Sequence, residues 1–350
     1  ALDYAHIEYD YQRQLKSEVI ADAFRRLGKI ALDQPVAVEA SPERGYRMRA
    51  RLHLREGRAG FFREGTHVWC DAAPAGQMLA GSLAAVQAVV GAIGAAASDC
   101  ESVLLVENVS ASERVVHVEF SEATRKGRRP AWIELPEGVT GVTIARDGRV
   151  EAIAGSATVT DRAEELFGAA PPVSADTAWA RRAPPFFQGN RYLAGALVRH
   201  VLELAGDRRN VADLYAGVGL FAVALAAAGA TVVAIEGERW SVEDLEANAL
   251  PWADRLSVVG QSVEDGAATL EPGSRDVVVL DPPRSGLSPR AANAVAALAA
   301  PRIVYVSCDP PTLARDAARL AQAGYRLASL RAFDLFPSTA HVEVIAAFDR

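Results

Sequence analysis

The strongest constraint on this chain is an alternation in its second half between short, wholly apolar runs and helix-like stretches. Val211 to Tyr215, Thr231 to Ile235, Leu256 to Val259, Val277 to Leu280 and Ile303 to Val306 read as strands. Between them, Leu220 to Ala228, Ser241 to Ala249 and Pro289 to Leu298 read as helices, with Pro311 to Gln322 after the last strand. A strand that is apolar on both faces needs cover on both, and interleaved helices supply it. The pattern therefore predicts an α/β unit with a mostly parallel sheet and helices on both faces. A helix over Tyr192 to Leu204 leads into it, and a strand over Val344 to Phe348 closes it.

The front half has another texture. Asp10 to Gly28 predicts a helix on which Leu15, Val19, Ala23 and Leu27 recur every four residues, with Gly28 as its stop. From about Pro35 to Ala178 come short β-like runs, Arg47 to Leu54, Val103 to Val109, Arg114 to Phe120 and Val142 to Ala145, around one Ala-rich helix over Gln77 to Ala97. The expected organisation is a lead-in helix over 1–30 packed on the α/β unit, a β-rich α+β central domain over 31–180, and the α/β domain over 181–350.

Composition narrows the function classes. Leu79 to Ala97 and Leu220 to Ile235 are too rich in Ala and Gly to read as membrane spans, which want about 20 strongly apolar residues. No charged and then apolar leader opens the chain, so a cytoplasmic location is expected. Cys70, Cys100 and Cys308 are too few and too scattered for a disulfide framework or a zinc site. A net charge of -7 weighs against indiscriminate binding to a phosphate backbone. Arginines nonetheless crowd at Arg44, Arg47, Arg49, Arg51, Arg55, Arg58 and Arg63, with Tyr46, Phe61 and Phe62 among them, and again at Arg125, Lys126, Arg128 and Arg129. Such a set serves equally as a solvated strand face or as an RNA surface.

Chemistry-bearing residues gather where strands of the α/β unit end. Asp213-Leu214-Tyr215-Ala216-Gly217-Val218-Gly219 turns a strand into a helix, and its glycines let the backbone approach a ligand. Glu236 ends the next strand, where a carboxylate can accept both ribose hydroxyls of an adenosine. NAD and S-adenosylmethionine both suit this turn. Asp281-Pro282-Pro283-Arg284 and Ser307-Cys308-Asp309-Pro310 each follow an apolar strand, and Phe336-Pro337-Ser338-Thr339-Ala340-His341-Val342-Glu343 precedes the last one.

Together these motifs resemble the RNA 5-methyluridine (uracil-C5) methyltransferase family. The resemblance is close over residues 181–350, through Phe187-Gln188-x-Asn190, the Asp213 to Gly219 turn, Asp281-Pro282-Pro283-Arg284-x-Gly286, the Cys308 motif and Phe336-Pro337-x-Thr339-x-His341-x-Glu343. It is looser over Gln14-Leu15-Lys16 and Gly45-Tyr46-Arg47-x-Arg49. It implies a Rossmann-like class I methyltransferase domain that moves a methyl group from S-adenosylmethionine to C5 of a uridine in tRNA or rRNA, rRNA being favoured. Cys308 would be the nucleophile and Glu343 the base. Gln188, Tyr215, Glu236 and Asp281, in the turn of Gly217 and Gly219, would contact S-adenosylmethionine, with Gln261 reaching the adenine. Phe187 or Phe186 would stack the flipped uracil, Arg284 would sit beside the thiol, and Arg47 and Arg49 would grip RNA. Arg284, or the helix that begins near Pro311, is expected to lower the thiol pKa.

Three departures from the family pattern stand out. Leu220 replaces a frequent Asn, Asp309 replaces a frequent Asn beside the thiol, and the cysteines that hold an iron-sulfur cluster in some members have no counterpart in Ala1 to His6 or at Ala75 and Gly76. No cluster, no other metal and no membrane partner are expected, and a monomer is. The alternatives are a non-catalytic RNA-binding or RNA-folding protein on the same scaffold, an amino-group nucleic-acid methyltransferase, and an NAD-dependent oxidoreductase. Neither a scaffold nor those two enzymes needs the Cys308 and Glu343 pair.

Overall fold

A computed structural model describes residues 2–63, 65–120, 133–146 and 148–350. The basic group of Arg125, Lys126, Arg128 and Arg129 lies outside the described residues.

Helix α1 (Tyr9–Ala23) runs on as one π-helical turn, Phe24–Gly28, and is followed by the short strand β1 (Val38–Glu39). A seven-stranded sheet comes next, built from β2 (Arg49–Arg55), β3 (Arg58–Phe62), β4 (Trp69–Asp71), β5 (Cys100–Glu107), β6 (Arg114–Phe120), β7 (Gly141–Arg146) and β8 (Arg149–Gly155) in the order β4-β3-β2-β5-β6-β7-β8. Helix α2 (Ala80–Ala92) packs Val86 and Val89 into a core with Leu52, Val103, Leu105 and Val116. A hairpin-like pair, β9 (Val159–Arg162) and β10 (Ala178–Arg181), flanks α3 (Ala163–Phe167) and leads to the α/β unit.

That unit alternates α4 (Ala194–Ala205), β11 (Asn210–Leu214), α5 (Leu220–Ala227), β12 (Thr231–Glu236), α6 (Arg239–Ala249), β13 (Leu256–Gly260), α7 (Val263–Ala267), β14 (Val277–Leu280), α8 (Pro289–Ala297), β15 (Arg302–Ser307), α9 (Pro310–Gln322), β16 (Arg326–Phe333) and β17 (Glu343–Asp349). Its sheet has the order β1-β16-β17-β15-β14-β11-β12-β13, parallel except where β17 lies antiparallel between β15 and β16. Alternate residues explain the apolar strands. In β14, Val277 and Val279 enter the core on one face, while Val278 and Leu280 enter the core on the other. The strand order reverses beside β11, so a crevice opens above the carboxyl ends of β11 and β14.

Three features differ from the sequence expectation. The inward face of α1 is Gln12, Lys16, Ile20 and Ala23, with Phe24 after it, whereas Val19 and Leu27 of the expected stripe are exposed. Polar Gln12 and Lys16 are buried because partners from residues 334–338 meet them, which periodicity cannot show. Strand β1 pairs with β16, so the larger sheet draws on residues inside the stretch expected for the central domain. Strand β16 itself, with Arg326, Ser329 and Arg331, carries no apolar run and escapes the strand signal.

A buried ionic cluster ties the seven-stranded sheet to the β9–β10 pair and to the segment that leads into α4. Glu107 on β5, fully buried, accepts from Ser82 Oγ at 2.6 Å and pairs with Arg114 and Arg191. Arg181 on β10 pairs with Asp161 and donates to the Glu107 carbonyl at 2.7 Å. Removing one member of a buried pair strands the others. Glu107→Ala should therefore cost about 3–5 kcal/mol of stability, read as a lower denaturant midpoint with an unchanged slope. Among the described residues, no helix is long and apolar enough to cross a membrane.

Candidate active site

The carboxyl ends of β11, β12, β14 and β15 deliver their side chains to one cavity of about 770 Å³. At the end of β11 the chain turns sharply, with Tyr215 (φ 61°), Gly217 (φ 56°) and Gly219 (φ 93°) all left-handed. A Cβ on Gly217 would find no other atom nearer than the Phe186 carbonyl at 4.0 Å, so the backbone there lies open to a ligand. Glu236 accepts the Gly217 N–H at 2.8 Å, the Gly237 N–H at 2.8 Å and the Glu238 N–H at 2.7 Å, which fixes a carboxylate at the cavity wall. Asp213 is fully buried, and neither of its carboxylate oxygens makes a hydrogen bond of good geometry. Burial first, and then the nearby Asp281, holds Asp213 well above the usual carboxylate range, although the Ala222 N–H opposes the shift.

Cys308, Glu343, Asp281, Arg284 and Gln188 line the same cavity. Glu343, the first residue of β17, is buried, and that burial together with Asp281 pushes its carboxyl well up against the pull of Arg284. Burial raises Asp281 to about 7, while a hydrogen bond from Gln188 acts the other way. Burial and then the Glu343 charge raise the Cys308 thiol to about 11, and Arg284 opposes them by charge and hydrogen bond. The expectation of a lowered thiol pKa is therefore corrected. Arg284 acts in the expected direction but is outweighed by burial and a carboxylate that sequence spacing did not bring near. Asp309 accepts the Thr312 N–H at 2.9 Å as the N-cap of α9.

The match of the tRNA (uracil-5-)-methyltransferase family model to residues 175–349 takes in every one of these cavity residues. An "uncharacterized RNA methyltransferase" of Streptomyces coelicolor is 30% identical over 99% of this chain and 75% of its own length. The 23S rRNA (uracil(1939)-C(5))-methyltransferase RlmD of Pseudomonas entomophila is 31% identical over 98% of this chain and 76% of its own. This chain belongs to the tRNA (uracil-5-)-methyltransferase family. It is an RNA (uracil-C5)-methyltransferase. The fold is likewise that of the Pyrococcus abyssi tRNA (uracil-54, C5)-methyltransferase solved with S-adenosyl-L-homocysteine, at TM-score 0.78 and 24% identity, over 99% of this chain and 84% of that one.

Within the methyltransferase, the other expected site residues divide. Gln188, Tyr215, Gly217, Glu236 and Asp281 line the cavity, but Gly219 and Gln261 do not. Gly219 caps α5, accepts from the Trp179 indole at 3.2 Å and leaves no room for a Cβ against Leu245. Gln261 is exposed in the turn after β13. Phe187 is buried under Arg181, 4.0 Å from its ring, whereas Phe186 is 60% exposed at the cavity mouth. Both phenylalanines line the cavity, Phe186 by an exposed ring and Phe187 by a buried one.

Arg49 stands behind the cavity wall, against Pro184 and Phe186, which line it. It donates to the carbonyls of Ala183 and Pro184 at 3.3 and 3.0 Å and lies 6.0 Å from the Phe186 ring. Arg47 instead donates to Gln77 at 3.0 Å and sits over Phe61. Tyr46 is core, its hydroxyl accepting from Gln77. Trp240 and Phe336 are among the lining residues that the sequence reading did not single out. Trp240, whose indole donates to the Gly148 carbonyl at 3.1 Å, begins the helix just after Glu236, a position the strand-to-helix spacing could have flagged. Phe336 opens its motif but gave no chemical signal of its own.

The shifts of Cys308 and Glu343 have one sign. Both groups are held protonated to higher pH than their free forms, whereas the nucleophile and base roles that the sequence resemblance implies need both deprotonated. The kcat/KM for RNA, which reports the free enzyme, should therefore climb with pH through and beyond the ordinary thiol value of about 8.5. A plateau at that value in a stopped-time methylation assay would contradict the buried setting of the thiol.

Proposed function

We propose that this enzyme methylates C5 of a uridine in ribosomal RNA with S-adenosylmethionine, through a covalent bond between Cys308 Sγ and C6 of the ring. The observation that carries the reading is that thiol, carboxyl and guanidinium from three separate motifs line one cavity with the Gly217 turn. The residues suit the methyl donor: an open glycine backbone, a carboxylate on the wall at Glu236, and a buried Asp213 without a well-formed hydrogen bond. S-adenosylmethionine, when bound, would supply an electrophilic methyl group, its sulfonium sulfur keeping the electron pair of the broken S–CH3 bond as S-adenosylhomocysteine.

The chain's own groups then do the rest. The Cys308 thiolate adds to C6, and the electron pair released onto the ring makes C5 nucleophilic. Once C5 carries the methyl group, Glu343 removes the C5 proton. The C5–C6 double bond re-forms and expels the thiolate. Arg284, next to both side chains, counters the negative charge that gathers there. A uridine in a duplex cannot reach such a cavity, so it enters flipped out or unpaired, with Phe186 at the mouth to stack it. The choice of ribosomal RNA is supported by relatives similar over nearly the whole chain that are named for 23S rRNA.

Titration calorimetry tests the donor. S-adenosylhomocysteine should bind and NAD should not, and Glu236→Ala should weaken that binding by about 10- to 100-fold, since hydrogen bonds to a charged group contribute roughly 1.5–3 kcal/mol. Mapping 5-methyluridine in rRNA and tRNA from a deletion strain tests the substrate. A loss confined to tRNA would overturn the choice of ribosomal RNA.

A further inference from the structure

The loop of residues 334–342 joins β16 to β17 and carries Phe336 into the cavity just before Glu343. It is gripped from the far end of the chain. Lys16 Nζ donates to Asp334 Oδ1 at 2.6 Å and to the Phe336 carbonyl at 3.2 Å, with Lys16 and Asp334 1% and 0% exposed. Gln12 Oε1 accepts the Ser338 N–H at 2.9 Å, and the Ser338 carbonyl accepts the Tyr4 N–H at 3.0 Å. Gln12 in turn is held by its amide, which donates to the Tyr4 and Ile7 carbonyls. From the other side Asn190 donates to the Leu335 carbonyl at 3.0 Å. Ser338 is left-handed (φ 63°), a conformation that outside bonds must hold.

We propose that Lys16 and Gln12 are positioning residues for Glu343, and that α1 acts as a clamp setting the loop that aims the base at C5. Neither side chain lines the cavity, and both act through the backbone of residues 336–338. A buried ion pair adds little to stability by itself, because apolar residues of similar volume replace such pairs at little cost. Here the ammonium also fixes a main-chain carbonyl next to a cavity residue, which an apolar side chain cannot do. Loosening the loop by even about 1 Å can slow a positioned step by roughly 100-fold. The step affected is proton removal, which comes after the covalent bond and the methyl transfer.

The inference rests on the reading of Cys308 as nucleophile and Glu343 as base, so the test includes Glu343→Gln. The Lys16→Met/Asp334→Asn double variant keeps volume and removes the buried charges together. Gln12→Leu removes the second grip without touching a charge. Each purified enzyme is mixed with unmodified substrate RNA and S-adenosylmethionine, and the denaturant-resistant enzyme–RNA adduct is followed by gel and mass spectrometry. The expected result is a methylated adduct that builds up in both clamp variants and decays about 10- to 100-fold more slowly than in wild type, with unchanged S-adenosylhomocysteine binding. An adduct that builds up in Glu343→Gln but turns over at the wild-type rate in both clamp variants overturns the clamp. If Glu343→Gln itself accumulates none, the base assignment fails, and the clamp fails with it.

Discussion

Cys308→Ala is expected to abolish methyl transfer, by about four orders of magnitude or more, as loss of a covalent nucleophile does elsewhere. The size follows from the chemistry. C5 of uracil is a weak nucleophile until a group adds to C6, and alanine offers nothing to add. The cavity should survive, because Cys308 is only half-buried and none of the Glu236 contacts passes through it. S-adenosylhomocysteine should therefore bind the variant as it binds wild type. That split between lost turnover and retained binding separates a nucleophile from a packing residue. It also sets this enzyme apart from an amino-group methyltransferase, which needs no thiol.

Glu343→Gln has the next largest expected effect, a fall in turnover of about 10²- to 10⁴-fold, the usual contribution of a general base. Its signature differs in kind. Addition and methylation precede the step Glu343 serves, so one methyl group should still be transferred per enzyme while release stalls. A burst of one equivalent followed by very slow turnover is the result to look for. Loss of the burst would place Glu343 earlier in the reaction. The neutral amide would also remove a charge that raises the thiol, so the variant's burst should reach its full rate at lower pH than wild type.

The α/β half was legible in the sequence for a simple physical reason. Strands such as Val277–Leu280 are buried on both faces and must be apolar at every position. The ligand turn after β11, Asp281 and Cys308 were legible because parallel strands put their carboxyl ends at one edge, where position along the chain fixes position in space. What the sequence concealed depends on contacts between distant segments. The inward face of α1 carries Gln12 and Lys16, whose partners arrive from residues 334–338. The thiol's raised pKa comes from burial and then from Glu343, on a strand that joins the sheet after Cys308 has left it. Phe187 and Phe186 look alike in sequence, and only the structure separates them, the first buried against Arg181 and the second exposed. Arg47 and Arg49 differ likewise, one tied to Gln77 and the other to the carbonyls of Ala183 and Pro184.

The most direct measurement uses RNA carrying 5-fluorouridine at the target. Fluorine at C5 takes the place of the proton that Glu343 is proposed to remove, so the enzyme should be caught with the ring still attached. Digestion and tandem mass spectrometry should find a methylated fluorouracil nucleotide bonded to the sulfur of Cys308 and nowhere else. An adduct on Cys70 or Cys100, or none at all from enzyme that still methylates unmodified RNA, would contradict a covalent role for Cys308.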